Sequence, residues 1–239
     1  MFSDIRSYVD AAVARDPAAR SRMEVLLLYP GVHALAWHKL VHWLYCHRVF
    51  GLARFLSQLV RFVTGIEIHP GARVGRGVFI DHGMGVVIGE TAIVGSDVTI
   101  YQGVTLGGTG KETGKRHPTI DDGVVVSAGA IVLGSITVGA NSKIGAGAVV
   151  IHDVPPECTV VGVPGRVVAR SGVRVREADL LDHGDLPDPV GAALNRMLIR
   201  VGTLESEVQT LRQAVRQTIA SVSDHREADE EAQADDYRI

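Results

Sequence analysis

Aliphatic side chains fall at Ile68, Val74 and Ile80, at Ile88, Val94, Ile100 and Leu106, and at Ile120, Val126, Val132, Val138, Ile144 and Val150. The spacing is six residues throughout and is broken only twice. A hexapeptide period is the sequence sign of a parallel β-helix, a prism whose short strands wrap round an axis with each aliphatic residue pointing inward. Stacking coils at about 4.8 Å buries a continuous apolar column. The residue after the aliphatic one is repeatedly glycine (Gly75, Gly89, Gly95, Gly107, Gly139, Gly145), as a corner needs where no Cβ fits. The competing architecture for a Gly/Val-rich chain is a β-sandwich or barrel, whose strands recur every 8 to 12 residues or so rather than every six. Flat, small-residue faces on a prism associate readily, so a homo-oligomer is expected.

The flanks follow other rules. Residues 1–65 read as a helical region, with apolar positions three and four apart in VHALAWHKLVHWLYCHRVF and LARFLSQLVRFVT. Asp16-Pro17 has the form of a helix start, and Pro30-Gly31 and Gly51 punctuate the segments. After the prism, placed at 66–168, a linker and heptad helix occupy 169–223. Leu194, Val201, Val208, Val215 and Val222 lie seven apart, with Met197, Leu204 and Leu211 at the complementary positions. That seam fits a parallel coiled coil between subunits, or a lone amphipathic helix folded back on the prism. Residues 224–239 form an acidic tail ending in Ile239.

Composition narrows the function classes. With 46% hydrophobic and 21% charged residues the chain is of the globular class, and a net charge of −3 opposes general nucleic-acid binding. Cys46 and Cys158 lack metal-ligand spacing and read as reduced thiols. The opening MFSDIRSYVD is no signal peptide, and no run approaches the roughly 20 apolar residues of a membrane span, so a cytoplasmic protein without membrane attachment is expected.

The two breaks in the period are the candidate functional places, because repeat proteins put insertions on the surface and often on a binding face. Two residues are added between Ile80 and Ile88, around Asp81-His82. Eight are added between Leu106 and Ile120, in LGGTGKETGKRHPTI, which ends in Arg116-His117. That loop is not a P-loop: Thr109 stands where the first glycine belongs, and Arg116 follows Gly114-Lys115 in place of Ser or Thr. It is either a cover for a phosphate-bearing ligand or plain surface. His33, His38, His42 and His47 share the N-terminal helices, where backbone or carboxylate partners account for them better than a metal does. A zinc prism enzyme needs three histidines from the coils; here His82 and His117 are joined only by His69 and His152, so no metal is expected.

The segments EIHPGARVGRGVFIDHGMGVVIGETA, LGGTGKETGKRHP, KIGAGAVV and VGVPGRVV, with RDPAA about fifty residues upstream, resemble the serine O-acetyltransferases among the hexapeptide-repeat acyltransferases. The resemblance runs from about Asp16 to Val168, and IDHG followed thirty-five residues later by RHP is its most specific part. It implies an N-terminal α-helical region plus a left-handed parallel β-helix, with a C-terminal helix or coiled-coil extension. It implies acetyl transfer from acetyl-CoA to the hydroxyl of L-serine, giving O-acetylserine and CoA for cysteine synthesis, in sites between neighbouring prisms.

By the same resemblance His82 is the general base, and Glu67, where better-known members carry Asp, holds the other imidazole nitrogen. A base is chemically necessary, because a serine hydroxyl is a poor nucleophile near neutral pH. Asp16 and Asp81 correspond to acidic ligands of serine, and Arg116 with His117 to the partners on its other side. Read plainly, Asp16 only caps a helix and Asp81 only makes a turn. Gly108, Thr109, Ala128, Lys143 and Ala146 correspond to positions along the CoA groove. The family also implies docking of the C-terminal Ile239 into cysteine synthase (O-acetylserine sulfhydrylase), and a homotrimer is favoured because the helical region is shorter than in the hexameric members. The competing classes are an acetyltransferase for a sugar or antibiotic hydroxyl, and a non-catalytic regulator of cysteine synthase.

Overall fold

The computed structural model describes residues 2–110, 113–170, 197–210 and 212. Four helices come first: α1 (Phe2–Arg15), α2 (Arg22–Leu28), α3 (Pro30–Cys46) and α4 (Phe50–Thr64). Fifteen short strands follow: β1 (Glu67–Ile68), β2 (Arg73–Val74), β3 (Phe79–Ile80), β4 (Val87–Ile88), β5 (Ile93–Val94), β6 (Thr99–Ile100), β7 (Thr105–Gly107), β8 (Thr119–Ile120), β9 (Val125–Val126), β10 (Ile131–Leu133), β11 (Thr137–Val138), β12 (Lys143–Ile144), β13 (Val149–Val150), β14 (Cys158–Val161) and β15 (Arg166–Arg170).

From β1 to β10 each strand pairs in parallel with the strand three places on, and β12 pairs in parallel with β14, which makes three sheets: β1-β4-β7-β10-β13, β2-β5-β8-β11 and β3-β6-β9-β12-β14, the last closed by antiparallel β15. A coil is therefore three strands, one per sheet, and the register measures the insertions. Thr105 lies 18 residues after its partner Val87. Val87 lies 20 after Glu67, and Ile131 lies 26 after Thr105. The two and eight added residues leave the ladder intact and bulge out at corners.

Every residue of the six-residue series is buried except Val74, which is partly so. A second inward position lies two residues earlier, at Ile66, Ala72, Val78, Val86, Ala92, Val98, Val104, Val124, Ala130 and Ala148. Together they fill the prism, each fully buried Val or Ile contributing about 1.5–3 kcal/mol. The glycines of the series are corner residues because of their size: a Cβ on Gly75 would meet the Gly95 carbonyl of the next coil at 2.5 Å.

The first coil has no coil beneath it, so its outward carbonyls need donors. The helices supply them. His42 Nδ1 donates to the Pro70 carbonyl (2.7 Å), His38 Nε2 to Ala72 (3.1 Å), Lys39 Nζ to Val74 (3.0 Å), the Tyr8 hydroxyl to Gly75 (3.0 Å) and Arg15 Nη1 to Gly77 (3.0 Å). His33 and His47 donate to carbonyls of Leu26 and Trp43. All four helical histidines thus have backbone partners. Gly31 lets α3 settle on the prism, since a Cβ there would run into the Ile80 carbonyl.

Two boundary expectations are corrected. Asp16-Pro17 does not start a helix: α1 ends at Arg15, and α2 starts after Ser21, whose side chain accepts from the Glu24 amide. Asp16 instead follows the C-terminal end of α1, its amide still donating to the Ala12 carbonyl, while its carboxylate accepts from Ala18 in the turn and from Tyr29. Gly51 lies inside the first turn of α4, and the break falls at His47–Val49.

The described residues fall into two units, divided between positions 189 and 190. In the second, 197–210 are helical, with Met197, Val201, Leu204 and Val208 exposed. Leu194, Leu211, Val215 and Val222 of the heptad seam, and the tail to Ile239, lie outside the described residues. Among the described residues no helix is long and apolar enough to cross a membrane.

Candidate active site

The first break forms the corner between β3 and β4. Asp81 is still on the ladder, its amide donating to Ile100 O at 2.9 Å. The chain then turns through His82 (φ 56°) and Gly83 (φ 73°), and a Cβ on Gly83 would strike Ile66 Cδ1. A left-handed histidine costs about 1–2 kcal/mol, a cost met by the ladder on either side. The result is an imidazole projected into solvent, its side chain 74% exposed, with Nε2 3.9 Å from Asp81 Oδ2.

Asp16 reaches the same corner from the helices. Its Oδ1 accepts the Ala18 amide (2.8 Å) and its Oδ2 the Tyr29 hydroxyl (2.5 Å). Phe79 of β3 packs in one buried cluster with Val9, Ala12, Val25 and Val32, which draws the α1–α2 turn to the prism. The Tyr29 phenol is pushed up to about 12 by desolvation, then by Asp16, with Glu24 and Asp81 adding. Tyr101 rises to about 12 through desolvation, then Asp81 and Asp16. Both phenols sense both carboxylates, so Asp16 and Asp81 share one small neighbourhood.

Beyond this corner the coils stack with little side chain. The amides of Gly103, Gly129 and Gly147 donate to the carbonyls of Met84, Gln102 and Ala128, each at 2.9 Å. A Cβ on Gly129 or Gly147 would meet nothing within 4 Å. Ala128 and exposed Ala146 lie on this column, and Lys143 starts β12 just before it. The outcome is a side-chain-poor corner that continues along the prism in line with the His82 corner.

The second group stands on the opposite edge of the β1-β4-β7-β10-β13 sheet, at the corner after β4. Arg116 Nη2 is bound to Glu90 Oε2, and the Tyr45 hydroxyl to Glu90 Oε1 (2.9 Å). The Arg116 hydrogen bond, then Tyr45, holds the Glu90 carboxyl below the usual range. His117 is 8% exposed and packs against Gly89, where any Cβ would overlap the ring. Burial, then Arg116, pushes its imidazole down, so it is neutral near pH 7. The inserted loop starts here too: a Cβ on Gly108 would lie 3.1 Å from His117 Nε2, and Thr109 lies against Gly134.

The structure thus brings Asp16, Asp81 and His82 together, and Arg116 and His117 with Gly108, but keeps the two groups on different corners. Glu67 is in neither arrangement. Its carboxylate pairs with Arg54 (3.1 Å) and Arg61 (3.3 Å) of α4, while it lines a hollow shared with Met84 and Gly85. Tyr29, Glu90 and Thr91 escaped the sequence reading. For Thr91 a signal existed: it precedes His117 by 26 residues, one 18-residue coil plus the eight inserted.

No family model matches the chain. It is 55% identical to the serine acetyltransferase of Synechococcus elongatus over 229 residues, 94% of this chain and 93% of that one. The serine acetyltransferase of Neisseria gonorrhoeae, solved in complex with serine, aligns with a TM-score of 0.66 and 47% identity over 68% of this chain and 67% of that one. That of Brucella abortus, solved with coenzyme A, aligns at 0.69 and 46% over 72% and 68%. The prism is accordingly a left-handed parallel β-helix, as expected. At that identity over nearly its whole length, the chain belongs to the serine acetyltransferase family.

Proposed function

We propose that this chain transfers acetyl from acetyl-CoA to the hydroxyl of L-serine, releasing O-acetylserine and CoA. The observation that carries the reading is the gathering of two carboxylates, Asp16 and Asp81, beside an exposed histidine at the head of a side-chain-poor corner of the prism. An ammonium needs the carboxylates, a hydroxyl needs the base, and a long thioester arm needs that corner.

In this mechanism His82 accepts the serine hydroxyl proton as the oxygen attacks the thioester carbonyl. The tetrahedral intermediate collapses with loss of the thiolate, which takes the proton back from the imidazolium. Glu67 is the carboxylate assigned to orient His82. Its place in the hollow with Met84 and Gly85 supports this, and the role needs it to exchange Arg54 and Arg61 for the imidazole. Arg116 and His117 bind the serine carboxylate, and Gly108, Thr109, Ala128, Lys143 and Ala146 line the CoA path.

The site is completed between copies. The acid corner and the Arg116-His117 corner bracket one sheet, so a head-to-tail contact sets one chain's His82 against the next chain's Arg116, and such a contact closes into a ring. A homotrimer is our reading, with the exposed Met197, Val201, Leu204 and Val208 as a coiled-coil seam. We assign the segment ending at Ile239 to binding cysteine synthase as an extended peptide. Removing Ile239 is expected to abolish that complex and leave acetyl transfer intact.

The test is CoA-thiol release from acetyl-CoA with L-serine, in wild type and His82→Ala. Serine-dependent release that falls about 10²-fold or more in the variant supports the reading. Release by folded wild type that ignores serine sinks it and moves the activity to another hydroxyl acceptor.

A further inference from the structure

Thr91 makes five hydrogen bonds to the three residues before Pro118 and uses every polar atom it has. Its Oγ1 accepts the backbone amides of Arg116 (3.0 Å) and His117 (3.1 Å). The same hydroxyl lies 2.9 Å from His117 Nδ1, and the Thr91 amide lies 3.2 Å from that nitrogen. Lys115 Nζ donates to the Thr91 carbonyl at 2.8 Å.

Valence counting fixes the protons. A backbone N–H can only donate, so His117 Nδ1 is an acceptor and carries no proton. The hydroxyl oxygen has spent both lone pairs on the two amides, and its hydrogen is free to point at Nδ1 as well. The proton of the neutral ring is therefore on Nε2, which faces the gap between Gly89 and Gly108. The opposite tautomer would set N–H against N–H at Thr91 and turn a lone pair toward the gap, repelling a carboxylate.

We propose that Thr91 is the positioning residue of the serine-carboxylate side: it locks His117 as the Nε2–H donor and ties the Arg116-His117 backbone to the corner after β4. The role played in the reaction rests on the acetyltransferase reading, whereas the tautomer does not. The arrangement resembles a ligand histidine whose second nitrogen is fixed by its neighbours, where losing the neighbour typically costs about 10-fold to 100-fold.

The experiment has two arms on the full-length protein. In the first, ¹⁵N-histidine labelling, with His117→Gln for assignment, reads the ring directly. A pyridine-type Nδ1 and pyrrole-type Nε2 are expected, and a protonated Nδ1 overturns the proposal. In the second, Thr91→Val is expected to raise the serine KM about tenfold or more with the acetyl-CoA KM nearly unchanged, and Thr91→Ser to restore it. An unchanged serine KM, or equal rises for both substrates, overturns the proposal. Where Thr91→Val does not fold, Thr91→Ala replaces it. Wild type that shows the Nε2–H signature but no serine turnover supports the tautomer lock and removes the acetyltransferase reading instead.

Discussion

The Tyr29 hydroxyl, at the α2–α3 junction, donates to Oδ2 of Asp16 in the α1–α2 turn, at 2.5 Å. With Ala18 on Oδ1, the carboxylate is fixed in orientation, and Asp81 lies close enough to act on the same phenol. A charge-assisted hydrogen bond contributes about 1.5–3 kcal/mol. Tyr29→Phe is therefore expected to raise the serine KM roughly tenfold or more while the acetyl-CoA KM stays within about twofold. Equal changes in both constants in steady-state kinetics would count against Asp16 as a serine ligand.

Glu67 raises a sharper question, because two arginines hold it. If it orients His82 during turnover, Glu67→Gln should lower kcat about 10-fold to 100-fold with little change in either KM. Arg61→Ala, which loosens the grip, should leave kcat unchanged or raise it. A Glu67→Gln enzyme with wild-type kcat assigns the imidazole's support to Asp81, already 3.9 Å away.

These contrasts mark what the sequence carries and what it does not. The period gave away the prism because every coil repeats one steric rule, and both breaks in it fall at corners, where the candidate site residues stand. The second inward series stayed hidden, since Ala72, Ala92, Ala130 and Ala148 alternate with valines and show no striking aliphatic rhythm. Asp16 was misplaced at a helix start because its real partner, Tyr29, is brought to it by tertiary packing. The arginines on Glu67 were invisible for the same reason: Arg54 and Arg61 become its neighbours only once α4 lies along β1.

Stability should follow His38. The side chain is 4% exposed, its Nε2 proton bound to Ala72 O, and burial with the neighbouring His42 pushes its pKa down to about 3. A histidine depressed on folding binds fewer protons folded than unfolded below its ordinary value of about 6.5, so its contribution is complete above that pH and is lost as pH falls toward 3. The thermal midpoint of wild type should drop from pH 6.5 to pH 4.5. In His38→Gln, whose amide can still donate to Ala72 but does not titrate, the drop over this interval should be smaller. Parallel curves would refute the assignment.

Deleting Thr109 to Gly114 tests the inserted loop. The ladder tolerates its length as an excursion, so the shortened chain is expected to fold. The acetyl-CoA KM should rise at least about tenfold, as expected when several weak contacts to an extended ligand are lost. An unchanged KM sinks the idea that the loop covers the thioester.

Sharing of the site between copies has a quantitative signature. His82 and Arg116 stand on opposite edges of one sheet, so a site built from two chains takes the base from one and the guanidinium from the next. His82→Ala and Arg116→Ala should each be nearly inactive alone. Co-expressed in equal amounts and assorted at random, half the chains keep His82 and half keep Arg116, so about a quarter of the sites receive both. Specific activity should then recover to roughly a quarter of wild type. A site lying within one chain predicts no recovery, because every chain in the mixture lacks one of the two groups. The same experiment separates quaternary structure from chemistry: tagged chains that co-purify without regaining activity would leave the ring in place and move the serine pocket into the single prism.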